Sequence, residues 1–368
     1  MKKPRILFIT PLPPPIHGSG MVSQYIKDCK ELQNDFICDF VNLSTSRSID
    51  EIGKSSIMKY IRFIGAYFIT LWKLLTRRYS ICYLAIACYG IGFLKDAPFV
   101  LLCKLFCKKV IIHQHNKGMS NYTDKFPYRW LMPLVYRNTK VILLSWHLYQ
   151  DIERVVKEEQ IIICPNGIPE IYKEEPHFKR ENKQTKLLFL SNLIPSKGVY
   201  ILLDACKILK EKGYEFECDF IGGESKEITR SVFEQYVEER CLTGLVKYHG
   251  PRYGEEKKRF FENANIFVQP TFEDCYPLTI LEAMQYKLPV VTTDEGGIPD
   301  IVQNGINGFV CKRKDPVSLA NAIEDLFNNK EKMVEFGEKG YEIYNEKFSL
   351  RKFYDCFHTI ILQETNNI

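Results

Sequence analysis

The sequence predicts an α/β protein built from two doubly wound units in tandem, and three observations carry that expectation. Apolar strand-like runs alternate with helical patterns along the 368 residues, the signature of parallel sheets covered by helices on both faces. The alternation lapses once, at 166–185, a stretch rich in Pro, Lys, Glu and Asn, and then restarts. The length also suits two units of ordinary size, each able to bury its own core. Strands are expected at 5–10, 36–43, 81–87, 109–113, 141–145 and 160–164. A second series follows at 186–191, 216–221, 245–249, 266–269, 289–293 and 308–311. The organisation reads as a first unit over 1–165, a linker over 166–185 and a second unit over 186–348, with a final helix over about 349–368. Two such units would face each other across a cleft lined by the carboxyl ends of their strands, where ligands bind in this architecture.

Composition narrows the class. Hydrophobic residues at 45% and charged residues at 26% exclude a disordered chain. The thirteen cysteines are scattered, none in a Cys-x-x-Cys pair, and the pair Cys103 and Cys107 has no second pair nearby. That spacing argues for a reducing cytoplasm, against a zinc site and against a disulfide frame. Met1-Lys2-Lys3 leads at once into a strand, so no signal peptide is expected, and no apolar run is long enough to span a membrane. Residues 1–165 hold 23 Lys and Arg against 12 Asp and Glu, and the remainder 27 against 33, a net +11 against −6. The basic half should therefore face an anionic partner. Nothing in the pattern points to nucleic acid.

Taken in order, strand one runs into a proline-rich loop ending at Gly18 and Gly20, where the backbone can approach a ligand closely. The third glycine of the dinucleotide fingerprint is missing, since Ser23 occupies its place. The loop reads equally as a phosphate or sugar loop and as a plain turn. Over 54–78 the cations Lys54, Lys59, Arg62, Lys73, Arg77 and Arg78 meet no acid between Glu51 and Asp96. At helical spacing Ile57, Ile61, Ile64, Phe68, Leu71 and Leu75 form one stripe, with Lys59, Arg62, Lys73 and Arg77 opposite. This is the pattern of a basic helix on an anionic membrane surface, with an ordinary solvated helix as the alternative. Strand four ends in His113 and His115, two apart and so on one face, placed to hydrogen-bond a sugar oxygen rather than to hold a metal.

In the second half, Lys197 sits in a strand-to-helix loop, where a point charge suits a diphosphate and a solvated lysine is the plainer reading. Gly222 and Gly223 mark another strand end, and the stretch from His249 through Arg252 to Tyr253 could seat a base. Ile266 to Val268 then leads into a loop with Glu273 and Asp274, followed by a helix from Leu278 that carries Glu282. A helix start gathers backbone N–H groups and favours negative charge, so acids beside it suit a ligand combining phosphate with hydroxyls. A helix cap followed by a buried glutamate is the competing account.

These motifs together resemble the retaining GT-B glycosyltransferases of family 4. The resemblance rests on Ser191-Asn192-Leu193 with Lys197-Gly198, on Pro165-Asn166-Gly167-Ile168, on Gly222-Gly223, on 270–284 and on 288–309, with a looser match at His17-Gly18 and His115. It implies a GT-B fold of two Rossmann-like domains. A nucleotide-sugar donor would be held by the second and an acceptor by the first, with the last helix packed back onto the first. The family's paired glutamates stand eight apart, which from Glu282 gives Asp274. Asp274 would contact the donor sugar, Glu282 the ribose and Lys197 the diphosphate, while Tyr276, Pro277, Leu278 and Thr279 would offer the helix start. Asn192 replaces the family arginine, a loss that Arg252 could offset. His115 would steady the sugar or the diphosphate, and Gly18 and Gly20 would border the donor. The reaction implied is hexosyl transfer with retention, without metal or cofactor, from a UDP-sugar in preference to a GDP-sugar. The acceptor would be a lipid-linked or other glycan of surface polysaccharide or lipopolysaccharide, met at the inner face of the membrane by a cytoplasmic, peripheral protein. A non-catalytic sugar-nucleotide-binding protein and a sugar-nucleotide epimerase are the alternatives.

Overall fold

The computed structural model describes residues 3–14, 18–44, 57–172, 175, 176, 178, 180 and 184–367. His17 and Lys54, both named above, lie outside the described residues. The chain divides into two compact units, Met1–Gly167 with Leu350–Ile368, and Ile168–Ser349.

The first unit has six parallel strands in the order β2-β1-β3-β4-β5-β6. They are β1 (Arg5–Thr10), β2 (Ile37–Asn42), β3 (Ile81–Ile86), β4 (Lys109–Gln114), β5 (Lys140–Leu143) and β6 (Ile161–Ile163). Between them run α1 (Gly18–Asp28), α2 (Lys30–Asp35), α3 (Ile57–Thr76), α4 (Gly90–Phe106) and α5 (Tyr128–Tyr136). Ile6 to Ile9 and Ile81 to Ile86 are buried throughout, so these strands are apolar on both faces, as covered parallel sheets require. The chain order turns back beside β1, leaving a switch point between β1 and β3 at the carboxyl ends.

The second unit repeats the plan in the order β12-β11-β10-β7-β8-β9. Its strands are β7 (Thr185–Leu190), β8 (Phe216–Ile221), β9 (Val246–Tyr248), β10 (Ile266–Gln269), β11 (Val290–Thr293) and β12 (Gly308–Cys311). Its helices are α6 (Val199–Glu211), α7 (Arg230–Glu239), α8 (Gly254–Asn263), α9 (Leu278–Gln285), α10 (Ile298–Ile301), α11 (Pro316–Asn328) and α12 (Lys330–Ile343). Here the switch point falls between β7 and β10, and it brings the 191–198 loop beside the 270–277 loop. The last helix, α13 (Leu350–Asn366), packs on the first unit. It does so through Lys109 to Glu364 at 2.8 Å, His358 to Asp35 at 2.8 Å and the Phe357 ring against Tyr83.

Two local readings need correction. The described part of 168–185, expected as linker, is packed on the second unit. Ile171 N–H donates to Gln285 Oε1 at 2.9 Å, Tyr172 OH donates to Glu262 Oε1 at 2.8 Å, and the Arg180 guanidinium donates to the Tyr286 carbonyl. Its low periodicity reflects irregular backbone, not freedom from contacts. In α3 the apolar stripe faces outward: Ile57, Ile61, Ile64, Phe68 and Leu75 are exposed, and the buried positions are Ala66, Thr70 and Leu74. Two of the four expected outward cations turn inward instead. Lys73 and Arg77 reach Asp39 at 3.3 and 2.6 Å, joined there by Arg5 at 3.0 Å and by the Tyr79 hydroxyl at 2.9 Å. Burial pushes the Asp39 carboxyl up, but the bonds from Arg77, Tyr79 and Arg5 and the charge on Lys73 outweigh it and hold it well below the usual carboxylate range.

Candidate functional site

In the second unit the site grows from two loops pressed together. A short turn at Pro195–Lys197 ends at Gly198, whose φ of +86° is the left-handed region. A Cβ at Gly198 would lie 2.2 Å from the Pro270 carbonyl oxygen, so only glycine lets the loops touch. Ser196 O accepts from Phe272 N–H at 2.9 Å and from Thr271 Oγ1 at 3.1 Å, locking the pair. From the other side Gly297 N–H donates to Cys275 O at 2.8 Å, and a Cβ on Gly296 (φ +56°) would meet Asp274 O at 2.4 Å. Asp274 is thus held by backbone on both flanks.

Lys197 and Asp274, predicted from separate motifs, form one ion pair. Lys197 Nζ donates to Asp274 Oδ2 at 2.7 Å and to the Glu273 carbonyl at 3.0 Å, and the other Asp274 oxygen accepts from Cys275 N–H at 2.8 Å. Glu273 itself is exposed. The loop then enters α9 at Pro277, and no side chain caps that helix start. Its first N–H groups are left for another acceptor, as an anion site requires. Tyr276 is buried, with its ring edge-on to Phe348, and Thr279 Oγ1 donates to Gln269 Oε1 at 2.8 Å, fixing the first turn to β10. Leu278 is half-buried at the same start.

Glu282 lies just over one turn into α9. Its Oε1 accepts from Lys257 Nζ of α8 at 2.9 Å, while Oε2 is buried without a hydrogen-bond partner among the described residues. A buried carboxylate oxygen with a free lone pair asks for a donor such as a hydroxyl. Lys257 was not foreseen, because on a charged helix it reads as one solvated lysine among several. Asn192 and Arg252 are held by nearby loop contacts. Asn192 Oδ1 accepts from Gly223 N–H at 2.9 Å and so ties the loop after β7 to the loop after β8. Arg252 stays by its own loop, with contacts at 3.5 Å to Pro251 O and 3.6 Å to Glu256.

The first unit carries the remaining predicted residues. Gly18 and Gly20 open α1, and Gly20 is buried. His115 follows β4 with its ring 4.1 Å from that of His113. His113 is fully buried and bonded through Nδ1 to Tyr83 OH at 2.7 Å, and burial, then the charge of His115, push it well below the usual imidazole range. His113 is therefore a neutral core residue, while His115 reaches a cavity of about 150 Å³ lined also by Ser19, Lys95, Asp96 and Asn116. Asp96 was missed. It is 5% exposed, with Oδ2 accepting from Ala87 N–H at 3.0 Å and Oδ1 lying 3.3 Å from Lys95 Nζ. Burial pushes its carboxyl up, and Lys95 offsets only part of that. Among the described residues no group of three or more His, Cys, Asp or Glu side chains could hold a metal.

Comparison with known proteins locates the likeness. Residues 172–343 match the family model described as glycosyl transferases group 1. The capsular polysaccharide biosynthesis glycosyltransferase CapM of Staphylococcus aureus is 28% identical over 227 residues, 57% of this chain and 58% of that one. The amylovoran biosynthesis glycosyltransferase AmsK of Erwinia amylovora is 30% identical over 141 residues, 37% of this chain and 34% of that one. The chain thus spans less than two thirds of the length of either relative. Among solved structures, sucrose-phosphate synthase of Thermosynechococcus elongatus superposes with a TM-score of 0.78 at 17% identity over 100% of both chains. Anabaena HepE, solved with UDP and glucose, gives 0.74 at 16% identity over 98% of this chain and 99% of that one. The architecture is the α/β GT-B fold. The matched stretch lies wholly within Ile168–Ser349, so the likeness to glycosyl transferases group 1 belongs to the unit that pairs Lys197 with Asp274.

Proposed function

We propose that the protein transfers a hexose-type sugar, with retention and without a metal, from a nucleoside-diphosphate sugar to a lipid-linked or other glycan acceptor in surface polysaccharide assembly. The observation that carries this is the site on the second unit: the Lys197–Asp274 pair at the uncapped start of α9, with the orphaned Glu282 oxygen just over a turn away. The N–H groups of Leu278 and Thr279 and the Lys197 ammonium would take the leaving diphosphate, and Glu282 Oε2 would accept from a ribose hydroxyl. Asp274 would turn to the hydroxyls of the donor sugar as phosphate takes over Lys197. The bond from the anomeric carbon to the phosphate oxygen breaks, and the acceptor oxygen bonds to that carbon on the same face. The acceptor proton passes to the departing phosphate oxygen. In the first unit, His115 and Asp96 would hydrogen-bond hydroxyls of the acceptor in the cavity they share. UDP is the favoured nucleotide, in line with the HepE complex. With a lipid-linked acceptor the protein would work in the cytoplasm, peripheral on the inner face of the membrane.

The test is release of nucleoside diphosphate from UDP-sugars with and without acceptor extracts. Release that requires acceptor and falls by about 10²–10³-fold in Lys197→Ala and Glu282→Ala supports transfer. Donor binding with no release under any acceptor would turn the reading toward a binding protein.

A further inference from the structure

On the first unit, α3, α4 and α5 lie side by side, α4 packing against both neighbours. Right-handed crossovers from β2 to β3, β3 to β4 and β4 to β5 put all three helices on one face of the sheet. Their outward sides are apolar. On α3 the seam Ile57, Ile61, Ile64, Phe68, Trp72 and Leu75 runs the whole helix, while Phe63 and Tyr67 turn in to pack on Phe99 of α4. Leu105, in the last turn of α4, is 80% exposed, and Phe126, Trp130 and Leu134 stand four apart on and just before α5, all exposed. A surface helix of a globular protein normally buries its apolar side, and a fully wet surface seldom carries contiguous large apolar side chains. The tryptophans sharpen the point. Two of them stand on these helices and are exposed, Trp72 on α3 at 56% and Trp130 on α5 at 67%.

Charge selects the occupant. Residues 52–150 hold 15 Lys and Arg but only two acids, Asp96 and Asp124. Asp96 is buried and Asp124 is paired with Arg154 at 3.0 Å, so this face offers little negative charge of its own. Lys125 and Arg129 stand at its margin, Lys125 over the Tyr122 ring and Arg129 over Trp130 at 4.9 Å. A second copy of the chain would bring cations against cations across an isologous contact. An anionic bilayer satisfies both features, taking the apolar seam and the tryptophans at the acyl boundary and the cations at the headgroups. No helix among the described residues is long and apolar enough to cross a membrane, so this face would lie in the interface.

The structure assigns the outward face of α3, α4 and α5 as a monotopic docking surface for an anionic lipid bilayer, anchored mainly by apolar insertion and only secondarily by charge. This deepens the peripheral location proposed above and replaces the basic-helix mode read from 54–78. Neutralising Lys73 and Arg77 would be a misleading test, since both hold Asp39. The experiment is cosedimentation of the full chain with vesicles of equal parts phosphatidylcholine and phosphatidylglycerol, and with pure phosphatidylcholine, at low and high salt. Binding to the mixed vesicles should survive high salt in part, and tryptophan emission should shift to the blue on binding. The triple variant Ile64→Ser, Phe68→Ser, Trp72→Ser should lose at least about tenfold in partitioning. The separate pair Trp130→Ser, Leu134→Ser should lose less, and Trp72→Phe should bind normally with a smaller blue shift. Circular dichroism checks the fold of each variant, and UDP binding, which needs only the second unit, tells loss of docking from failure of the donor assignment. Equal partitioning of the triple and double variants with wild type would overturn the assignment. So would absence of vesicle binding, or a vesicle-free dimer that the triple variant abolishes.

Discussion

The two units share one plan, six parallel strands with a switch point, yet they use their surfaces in opposite ways. In the second unit the candidate site is gathered into strand-end loops packed so tightly that a Cβ on Gly198 or Gly296 would lie 2.2 or 2.4 Å from a backbone oxygen. In the first, the distinctive feature is a broad helical face whose apolar side chains point away from the core. The comparison teaches that periodicity alone says which residues share a side and not which side is inside. A stripe at 3.6 spacing fits a core and a lipid surface equally well.

The contrast can be broken most forcefully at the loops. Lys197→Ala and Glu282→Ala should each lower turnover by about 10²–10³-fold, on the order of 3–4 kcal/mol, because in the proposed reaction each removes a group that holds the leaving nucleotide. Steady-state assay of nucleoside diphosphate release measures this, and near-normal rates in both would remove the donor site from this unit. Next in size, Gly198→Ala or Gly296→Ala should cost more than about 2 kcal/mol in denaturant unfolding, since both a positive φ and a backbone contact oppose the added carbon. A loss below half of that would mean the loops can part freely.

The helical face allows finer tests. Asp39→Ala should cost about 1–3 kcal/mol, because it strands Lys73, Arg77 and Arg5 around one missing acceptor. Its native pKa is depressed, so the stabilisation is present above the unfolded carboxylate value near about 4 and is lost as pH falls below it. Wild type should therefore lose more stability than Asp39→Asn between neutral pH and about pH 3. Asp96 has the opposite sign. Its native pKa is raised, so between the ordinary carboxylate value and the raised one the native state holds more protons, and stability falls as pH rises through that window. Asp96→Asn should leave stability at neutral pH unchanged or higher by up to about 1 kcal/mol while lowering the rate with acceptor. A clearly less stable variant would make Asp96 a structural residue.

Much of the fold was legible because fully buried parallel strands are dense apolar runs that any window detects, from Ile6 to Ile9 in the first unit to Ile266 to Val268 in the second. The two loops that press together were flagged by the resemblance, which pairs Asp274 with Glu282 eight residues on and puts a glycine directly after Lys197. What stayed hidden was pairing across the chain. The Lys197–Asp274 bond joins residues 77 apart and Lys257 meets Glu282 from another helix, contacts that no local pattern encodes. Asp96 was hidden for the same reason, since an aspartate beside a lysine in a helix reads as solvated until the sheet places it under β3. The packing of the described part of 166–185 was hidden as well, because irregular backbone looks like linker whether or not it is packed.

Titration calorimetry of UDP into wild type, Lys197→Ala and Glu282→Ala tests the nucleotide site proposed for the second unit most directly. UDP should bind the wild type, and each variant should bind at least about tenfold more weakly, a difference of about 1.4 kcal/mol. Equal UDP affinity in all three proteins would contradict it.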